Sequence, residues 1–339
     1  MKISLNWLKT LLPLEQTPEE IEAILTATGL EVEHFEPFES VKGGLKGLIV
    51  GKVESCEKHP NADKLSLTKV NIGGEALLSI VCGAPNVQAG QKVIVAPVGT
   101  VIYPVKGAEF TIQKAKIRGE ASEGMLCAED EIGLGESHAG LLILPDETPI
   151  GTAVADLFNV YSDTVFEIGL TANRGDAASH LGVARELATV LKKDFTVHTA
   201  ELLTSPKSHS LEVRVEAPLA CPRYTGLVID NIQVSESPEW LKNRLLSIGL
   251  KPINNVVDIT NYILHELGQP LHAFDMAKIK GNQIIVKRST IEDKFVTLDG
   301  IERSLKGYEL MINHSDGPMC MAGVYGGKDS GVSDETKSI

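Results

Sequence analysis

Between Leu48 and Leu144 the chain consists of short runs of β-forming residues separated by glycine, proline, asparagine and aspartate. The pattern predicts strands near 48–55, 65–72, 77–82, 92–96, 109–118 and 141–144. Short strands at this close spacing are typical of a barrel, because the strands of a doubly wound sheet alternate with helices. The sequence therefore predicts one small β-barrel over residues 40–150.

Helical patterns flank the predicted barrel. Thr17 and Glu20 have the spacing of a capping box, Pro18 is placed at the first helical position, and Gly29 follows the last apolar residue. A second helix is expected from about Ser179 to Lys193. One helix is therefore expected on each side of the barrel.

A further domain is expected towards the C-terminus. Residues 199–210 are polar and irregular, which indicates a linker. The alternating sequence LEVRVEA then predicts a strand, and Ser237 with Pro238 indicates the start of a helix that ends at Gly249.

The charge of the chain limits which nucleic acids it could bind. Its 32 Lys and Arg face 45 Asp and Glu, a formal net charge of −13. Proteins that grip long duplexes non-specifically are normally basic, because Lys and Arg contact the phosphates. Any nucleic-acid partner is therefore expected to be structured, or to be held mostly by other parts of a larger assembly.

Positive charge is nevertheless gathered at two places in the barrel segment. Lys64 lies in a lysine-containing stretch, and Lys114, Lys116 and Arg118 alternate along the chain. Alternate residues of a strand point to one face, so the last three would form one basic strip. A solvated strand face produces the same pattern, and the pattern alone leaves both interpretations open.

Cysteine spacing and hydropathy exclude several other classes. The five cysteines are single, without a C-x-x-C pair, which suits neither a zinc site nor a disulfide framework and is expected of reduced thiols in the cytosol. No run of 18 apolar residues predicts a membrane span. His265 and Glu266 begin an H-E-x-x-H pattern, but residue 269 is Gln, so no metal site is predicted.

The amino-acid sequence of the barrel segment is similar to that of a known module. VGKVESCEKHPNADKLSLTKVNIG at 50–73, IVCGAPNV at 80–87 and KIRGEASEGMLCAEDEIGL at 116–134 resemble the tRNA-binding oligonucleotide-binding (OB) barrel. Such barrels steer phosphates with Lys and Arg. The resemblance makes tRNA contacts the expected role of Lys64, Lys114, Lys116 and Arg118.

The flanks resemble one family, that of the bacterial phenylalanyl-tRNA synthetase β chain. The matching stretches are MKISLNWLK, TATGLEVE, EIGLTANRGDAASHLGVARELA at 167–188, KPINNVVDITNYILHELGQPLHAFD at 251–275 and MAGVYGG at 321–327. The resemblance implies a multidomain α+β chain. Residues 1–39 and 151–200 would form a discontinuous α+β domain into which the OB barrel at 40–150 is inserted, and 205–339 would begin an α/β editing domain of the B3/B4 type.

The resemblance also implies a function. The β chain would bind tRNA through the barrel and hydrolyse tyrosine that has been wrongly attached to it. Aminoacylation, an aminoacyl-tRNA ligase reaction with phenylalanine, ATP and Mg²⁺, would be carried out with an α chain in a cytoplasmic α2β2 heterotetramer. No ATP or metal site is readable in this chain.

Six residues of the third domain are carried over from the family. Thr260 and Asn261 would bond polar atoms of the substrate, and His272 would orient the ester or its attacking water. Gly323 and Gly326 would let the backbone approach the amino acid, and Lys251 stands where the family often has an Arg near the RNA. Each has a structural alternative, such as plain turn chemistry for the Thr-Asn and Gly-Gly pairs.

The family's editing glutamate would follow the D-E-T segment beyond Ile339. The resemblance therefore predicts an N-terminal piece with an incomplete editing domain and poor hydrolysis. Two alternative functions are an accessory tRNA-binding protein and a stand-alone editing hydrolase. The matched flanks argue against the former, and the barrel with the N-terminal helix argues against the latter.

Overall fold

The computed structural model describes residues 1–197 and 210–339. These residues form two compact units: unit 1 contains Met1–Glu36 and Thr164–Ile339, and unit 2 contains Pro37–Asp163. The linker predicted at 199–210 lies, except for its last residue, outside the described residues. The predicted division of unit 1 into an N-terminal and an editing domain stays a prediction.

Unit 1 begins with two helices between two strands. Its first elements are β1 (Lys2–Ser4), α1 (Leu5–Leu11), α2 (Pro18–Ala27) and β2 (Glu31–Glu39), which continues into unit 2. The predicted capping box of α2 is confirmed, because the Thr17 hydroxyl accepts from the Glu20 N–H at 3.3 Å and the Glu20 carboxylate accepts from the Thr17 N–H at 2.9 Å. The sequence patterns missed β1 and α1.

Unit 2 is a nearly closed antiparallel barrel. Its elements are β3 (Ile49–Lys58), β4 (Ser66–Asn71), β5 (Leu78–Cys82), β6 (Lys92–Pro97), β7 (Val101–Ile102), β8 (Phe110–Thr111), β9 (Ala115–Ile117), β10 (Glu120–Ser122), β11 (Gly124–Leu126), β12 (Ile143–Leu144) and α3 (Val154–Leu157). The main sheet has the order β11-β6-β3-β4-β5, with β12 also on β6. The Glu123 N–H donates to the Ser79 carbonyl at 2.8 Å, which brings the chain before β11 against β5.

Strand β6 of the barrel is buried on both faces. Along β6, Val93 and Val95 pack into one apolar cluster while Ile94 and Ala96 pack into another. A strand covered on both sides reads as a continuous apolar run, which is what the sequence KVIVAP shows.

The basic strip predicted on one strand is wrong. The predicted strand at 109–118 is broken, because β8 ends at Thr111 and β9 covers only Ala115–Ile117. Lys114 precedes β9, and Arg118 lies in the following turn with a φ of 52°. Lys114, Lys116 and Arg118 therefore share no strand face.

The chain returns to unit 1 through β13 (Ser162–Gly169) and α4 (His180–Leu191). β13 lies between β1 and β2 in a three-stranded sheet, with Ile3 opposite Phe166. Segments before and after the barrel are thus neighbours in one sheet, which confirms that the barrel is an insertion. The predicted helix cap is also confirmed, because the Ser179 hydroxyl accepts from the Gly182 N–H at 3.0 Å.

The rest of unit 1 contains a five-stranded sheet and two helices. Its elements are β14 (Glu212–Val215), α5 (Glu239–Ser247), α6 (Asn255–Leu267), β15 (Gln283–Arg288), β16 (Lys294–Val296), β17 (Glu302–Ser304), β18 (Leu310–His314), β19 (Gly317–Met321) and β20 (Tyr325–Gly326). The sheet order is β14-β15-β18-β19-β20, and β14 is parallel to β15. Ser237 does not cap α5, since its hydroxyl donates instead to the Asp258 carboxylate at 2.5 Å.

Two further expectations concern membrane spans and thiols. Within residues 1–197 and 210–339, no helix is both long and apolar enough to cross a membrane. All five cysteines are free thiols, and burial raises the pKa of Cys320 to about 11.

Candidate functional site

Helix α6 carries Thr260 and Asn261 in its middle. It is capped by Asn254, whose side-chain oxygen accepts from the Val257 N–H at 3.0 Å, and it ends at Gly268, which adopts a φ of 76°. The turn interpretation of the Thr-Asn pair is therefore wrong. The Thr260 hydroxyl donates to the Val257 carbonyl at 2.7 Å, so its oxygen remains available as an acceptor.

Thr260 and His272 line the same cavity, which has a volume of about 700 Å³. This is the size of a small-molecule site, and its walls are mainly apolar. The apolar side chains are those of Leu211, Tyr224, Leu227, Val228, Ile229, Ile232, Val256, Ile259, Leu271, Ala273, Phe274, Met276, Ile279, Ile284 and Ile339. We call it the α6 cavity. A few polar groups in an apolar pocket suit an aromatic or aliphatic ligand with a polar end.

The His272 imidazole packs edge-on against Phe274, with ring centroids 4.6 Å apart. Burial on that side lowers the pKa of His272 from its ordinary value, so the ring is neutral at pH 7. A neutral imidazole offers one nitrogen that can accept a hydrogen bond from water.

Gly326 makes room for the His272 ring. A Cβ atom at this position would lie 2.9 Å from Cε1 of His272, closer than real contacts allow. Gly323 is different: it lies in the turn between β19 and β20 with a φ of 72°, and a Cβ there would meet nothing within 4 Å. The structure thus brings Gly326 to His272, while Gly323, Asn261 and Lys251 do not line the α6 cavity.

In unit 2 the loop that contains Lys64 contacts the hairpin that carries two of the other predicted cations. The loop between β3 and β4, which contains Lys64, is held by the buried His59: its Nδ1 accepts from the Asn61 N–H at 3.0 Å, so Nε2 donates to the Ile117 carbonyl at 3.3 Å. Ile117 ends β9, beside Lys116 and Arg118, which are exposed. No spacing in the sequence identified His59 as the residue that joins these segments.

Lys114 is held apart from this group by an ion pair. Its ammonium lies 2.7 Å from the Glu123 carboxylate, and this contact lowers the pKa of Glu123. Part of the Lys114 charge is therefore neutralised locally.

Phe110 is 44% exposed and lines a groove of about 810 Å³ in unit 2. An exposed aromatic ring at a groove can stack on a base, and this residue was not predicted as a contact.

Sequence reasoning also missed a buried aromatic cluster that anchors α6. Trp7 is fully buried and lies between His180 and Tyr262, with ring centroids 4.0 and 4.8 Å away. The Trp7 indole N–H donates to the Glu266 carboxylate at 2.9 Å, and Arg244 donates to the Tyr262 hydroxyl at 3.0 Å. The cluster ties α1 and α4 to the helix that carries Thr260.

His180 is held in one neutral tautomer within this cluster. Its Nε2 accepts from the Ser4 N–H at 3.0 Å, so the proton is on Nδ1, which donates to the His265 carbonyl at 2.8 Å. Burial lowers the pKa of His180 to about 3. The His265-Glu266 pair thus has structural roles, and no group of three His, Cys, Asp or Glu in the described ranges could hold a metal ion.

Two family models match the two regions described above. A model described as "Putative tRNA binding domain" matches residues 48–153, and one described as "B3/4 domain" matches residues 220–339. The first covers the barrel, and the second covers most of the walls of the α6 cavity. The predicted barrel and B3/B4-type domain are confirmed.

Curated relatives match over the whole chain. It is 52% identical to the phenylalanine–tRNA ligase beta subunit of Porphyromonas gingivalis and 51% identical to that of Bacteroides thetaiotaomicron, covering 100% of this chain and 42% of each relative. The chain therefore spans about 42% of the length of these relatives.

A solved N-terminal fragment of the phenylalanyl-tRNA synthetase beta subunit from Pyrococcus horikoshii is 20% identical, with a TM-score of 0.30, over 52% of this chain and 54% of that one. That score is too low to support an argument, and the curated relatives and family models decide the assignment. The chain belongs to the phenylalanine–tRNA ligase beta-subunit family, and it contains the tRNA-binding and B3/4 domains of that family.

Proposed function

We propose that this chain binds tRNA through unit 2 and receives the aminoacyl end of a mischarged tRNA in the α6 cavity. The bond to be hydrolysed is the ester that holds a wrongly attached tyrosine. The observation that carries the proposal is the position of His272 and Thr260 on one mainly apolar cavity inside the B3/4 match. An apolar cavity of about 700 Å³ can accommodate an aromatic side chain next to a reactive ester.

The residues of the cavity suit ester hydrolysis. Water adds to the ester carbonyl carbon, the bond from that carbon to the ribose oxygen breaks, and the ribose oxygen takes up the proton. The neutral imidazole of His272 accepts a hydrogen bond from the water and so orients it. Thr260 would bond a polar atom of the substrate, whereas Asn261 follows it on α6 and does not line the cavity. Gly326 keeps the space that the His272 ring needs.

Unit 2 would hold the body of the tRNA. The loop that carries Lys64 contacts the hairpin that carries Lys116 and Arg118, so their charges act together on a phosphate backbone although they share no strand face. Lys114 contributes less because it is paired with Glu123. Lys251 is exposed and would add a single charge on the segment between α5 and α6.

The complete enzyme would join phenylalanine to tRNA together with an α subunit. The ligase family implies ATP and Mg²⁺ for that reaction, and we place this chemistry in the complete enzyme, with no step passing through the described residues. We further propose an α2β2 heterotetramer in the cytoplasm. The division into domains at 1–39 with 151–200, 40–150 and 205–339 belongs to the same proposal.

The test uses a stable analogue in which an amide replaces the ester between tyrosine and the 3′ position of adenosine. We expect the 339-residue chain to bind it and His272→Ala to weaken binding roughly tenfold, which is about 1.4 kcal/mol. His34→Ala, an exposed histidine outside the α6 cavity, serves as the matched control. Equal binding by wild type and His272→Ala, or no binding by the wild type, would show the proposal to be wrong.

Thr260→Val provides a second measurement with little change in volume. It removes the hydroxyl, so we expect weaker binding of the tyrosyl analogue with an unchanged melting temperature. An accessory tRNA-binding protein would bind tRNA but not the analogue, and a stand-alone hydrolase would bind the analogue without needing Lys64, Lys116 or Arg118.

A further inference from the structure

Four lysines surround a second cavity in unit 1, with a volume of about 420 Å³. We call it the lysine cavity. Its lining residues are Ala277, Lys278, Lys280, Lys294, Phe295, Val296, His314, Pro318, Met319, Gly327, Lys328, Asp329 and Ser330. Asp329 is the one carboxylate among these lining residues. In a chain with a net charge of −13, this is a local concentration of positive charge that the sequence patterns did not identify.

The four ammonium groups differ in how they are held. Lys278 donates to the Gly331 carbonyl at 2.6 Å, which fixes its direction, and Lys294 is paired with Glu302 at 2.8 Å. Lys280 and Lys328 are exposed, and their ammonium groups have no hydrogen-bond or ion-pair partner among the described residues. Two cations are thus available to a ligand without breaking an existing contact.

The lysine cavity shares its walls with the α6 cavity. In the segment 276–280, Met276 and Ile279 line the α6 cavity, whereas Lys278 and Lys280 line the lysine cavity. On the other side, Gly326 contacts the His272 ring, and the next residue, Gly327, lines the lysine cavity. The two cavities are therefore adjacent, one mainly apolar and the other cationic.

We propose that the lysine cavity binds phosphate groups of the RNA strand whose 3′-terminal aminoacyl group enters the α6 cavity. This inference rests on the proposed function. In an aminoacyl-tRNA the ester and the nearest phosphate are separated by one ribose, so a ligand that spans both cavities needs an apolar group at one end and anions at the other. Lysine ammonium groups bind phosphates as point charges, which matches this arrangement.

The double variant Lys280→Gln with Lys328→Gln tests the proposal, with Lys306→Gln as the matched control. Lys306 is an exposed lysine of unit 1 outside the cavity. A plot of the logarithm of affinity against the logarithm of salt concentration has a negative slope. Each phosphate that the protein neutralises makes this slope steeper by about 0.7 to 0.9. The double variant should therefore bind tRNA with a slope shallower by about 1.4 to 1.8, and the control with an unchanged slope.

Acetylation of lysines by an amine-reactive reagent provides the second measurement. We expect tRNA to protect Lys280 and Lys328 from the reagent but not Lys306. Equal acetylation with and without bound tRNA, together with an unchanged salt slope in the double variant, would overturn the inference and leave the proposed function standing.

Inorganic phosphate serves as the probe for a small-anion site. If it protects Lys280 and Lys328 as well as tRNA does at equal phosphate concentration, the cavity binds free phosphate and the assignment to RNA is wrong. If the wild type fails to bind the tyrosyl analogue while tRNA still protects these lysines, the proposed function fails and the phosphate contacts remain.

Discussion

The buried imidazole of His180 should make the stability of unit 1 depend on pH. Its Nε2 accepts a hydrogen bond from the Ser4 N–H. If this nitrogen were protonated, two N–H donors would face each other and the hydrogen bond would be lost. Burial lowers the pKa of His180 to about 3 from an ordinary value of 6.5, and the Arg244 guanidinium near Trp7 acts in the same direction. The unfolded state therefore binds a proton in a pH range where the folded state does not.

The sign and size follow from proton linkage. A histidine whose pKa is lowered in the folded state stabilises the fold fully above its unfolded pKa, and this contribution is lost as the pH falls. Between the two pKa values the loss is about 1.4 kcal/mol per pH unit. From about pH 7.5 to about pH 5, His180 alone should therefore remove about 2 kcal/mol of unfolding free energy.

The measurement is urea unfolding followed by tryptophan fluorescence. Both tryptophans of the chain, Trp7 and Trp240, contact the Tyr262 ring, so the signal reports on this cluster. Comparison with His180→Gln, which has no titrating group at this position, cancels the contributions of the other ionisable residues. The stability difference between wild type and variant should shrink by about 2 kcal/mol over this range.

His138→Gln is the control variant, because it removes a histidine whose pKa is shifted in the opposite direction. His138 is exposed, and its hydrogen bond to Asp130 raises its pKa, so its contribution has the opposite sign. A stability difference between wild type and His180→Gln that stays constant from about pH 7.5 to about pH 5 would refute the assignment of a neutral, buried His180.

Three further predictions concern separate parts of the chain. Gly326→Ala should displace the His272 ring, abolish binding of the tyrosyl analogue and cost about 1 to 3 kcal/mol in urea unfolding, whereas Gly323→Ala should cost about 1 kcal/mol and leave binding unchanged. Trp7→Phe keeps the ring stack but removes the N–H donor to Glu266, so unfolding should become about 2 kcal/mol easier; an unchanged urea midpoint would contradict this. Arg118→Gln should lower tRNA affinity more than Lys114→Gln in a binding titration, because Lys114 is already paired with Glu123.

Local sequence signals predicted the helices α2, α4 and α5 and most barrel strands correctly, but they missed α1, α3 and α6. The capping box at Thr17 and the serine cap at Ser179 depend on residues three apart, so a short stretch of sequence contains all the information. One such signal failed because a distant partner competed: the Ser237 hydroxyl donates to Asp258 instead of capping α5. The strand expected at 109–118 is also interrupted, between β8 and β9.

Only part of the candidate site could be predicted from the sequence. Resemblance to the family located Thr260 and His272, and the structure places both on one cavity. Their roles, and those of Asn261, Gly323 and Lys251, stay predictions. Sequence patterns did not identify the lysine cavity, because its four lysines are spread from Lys278 to Lys328 and form no local motif.

The sequence by itself determined the barrel, the capped helices α2 and α4 and the family, because periodicity, helix caps and sequence motifs are properties of neighbouring residues. Only the tertiary structure decided the tautomer of His180, the burial of Trp7 and the contact between the Lys64 loop and the β9 hairpin. Trp7 and Glu266 are 259 positions apart, and such contacts form only when the packed chain excludes water from both groups. For the same reason, the basic strip expected from Lys114, Lys116 and Arg118 does not form. Instead, the buried His59 joins the loop that contains Lys64 to the hairpin that contains Lys116 and Arg118.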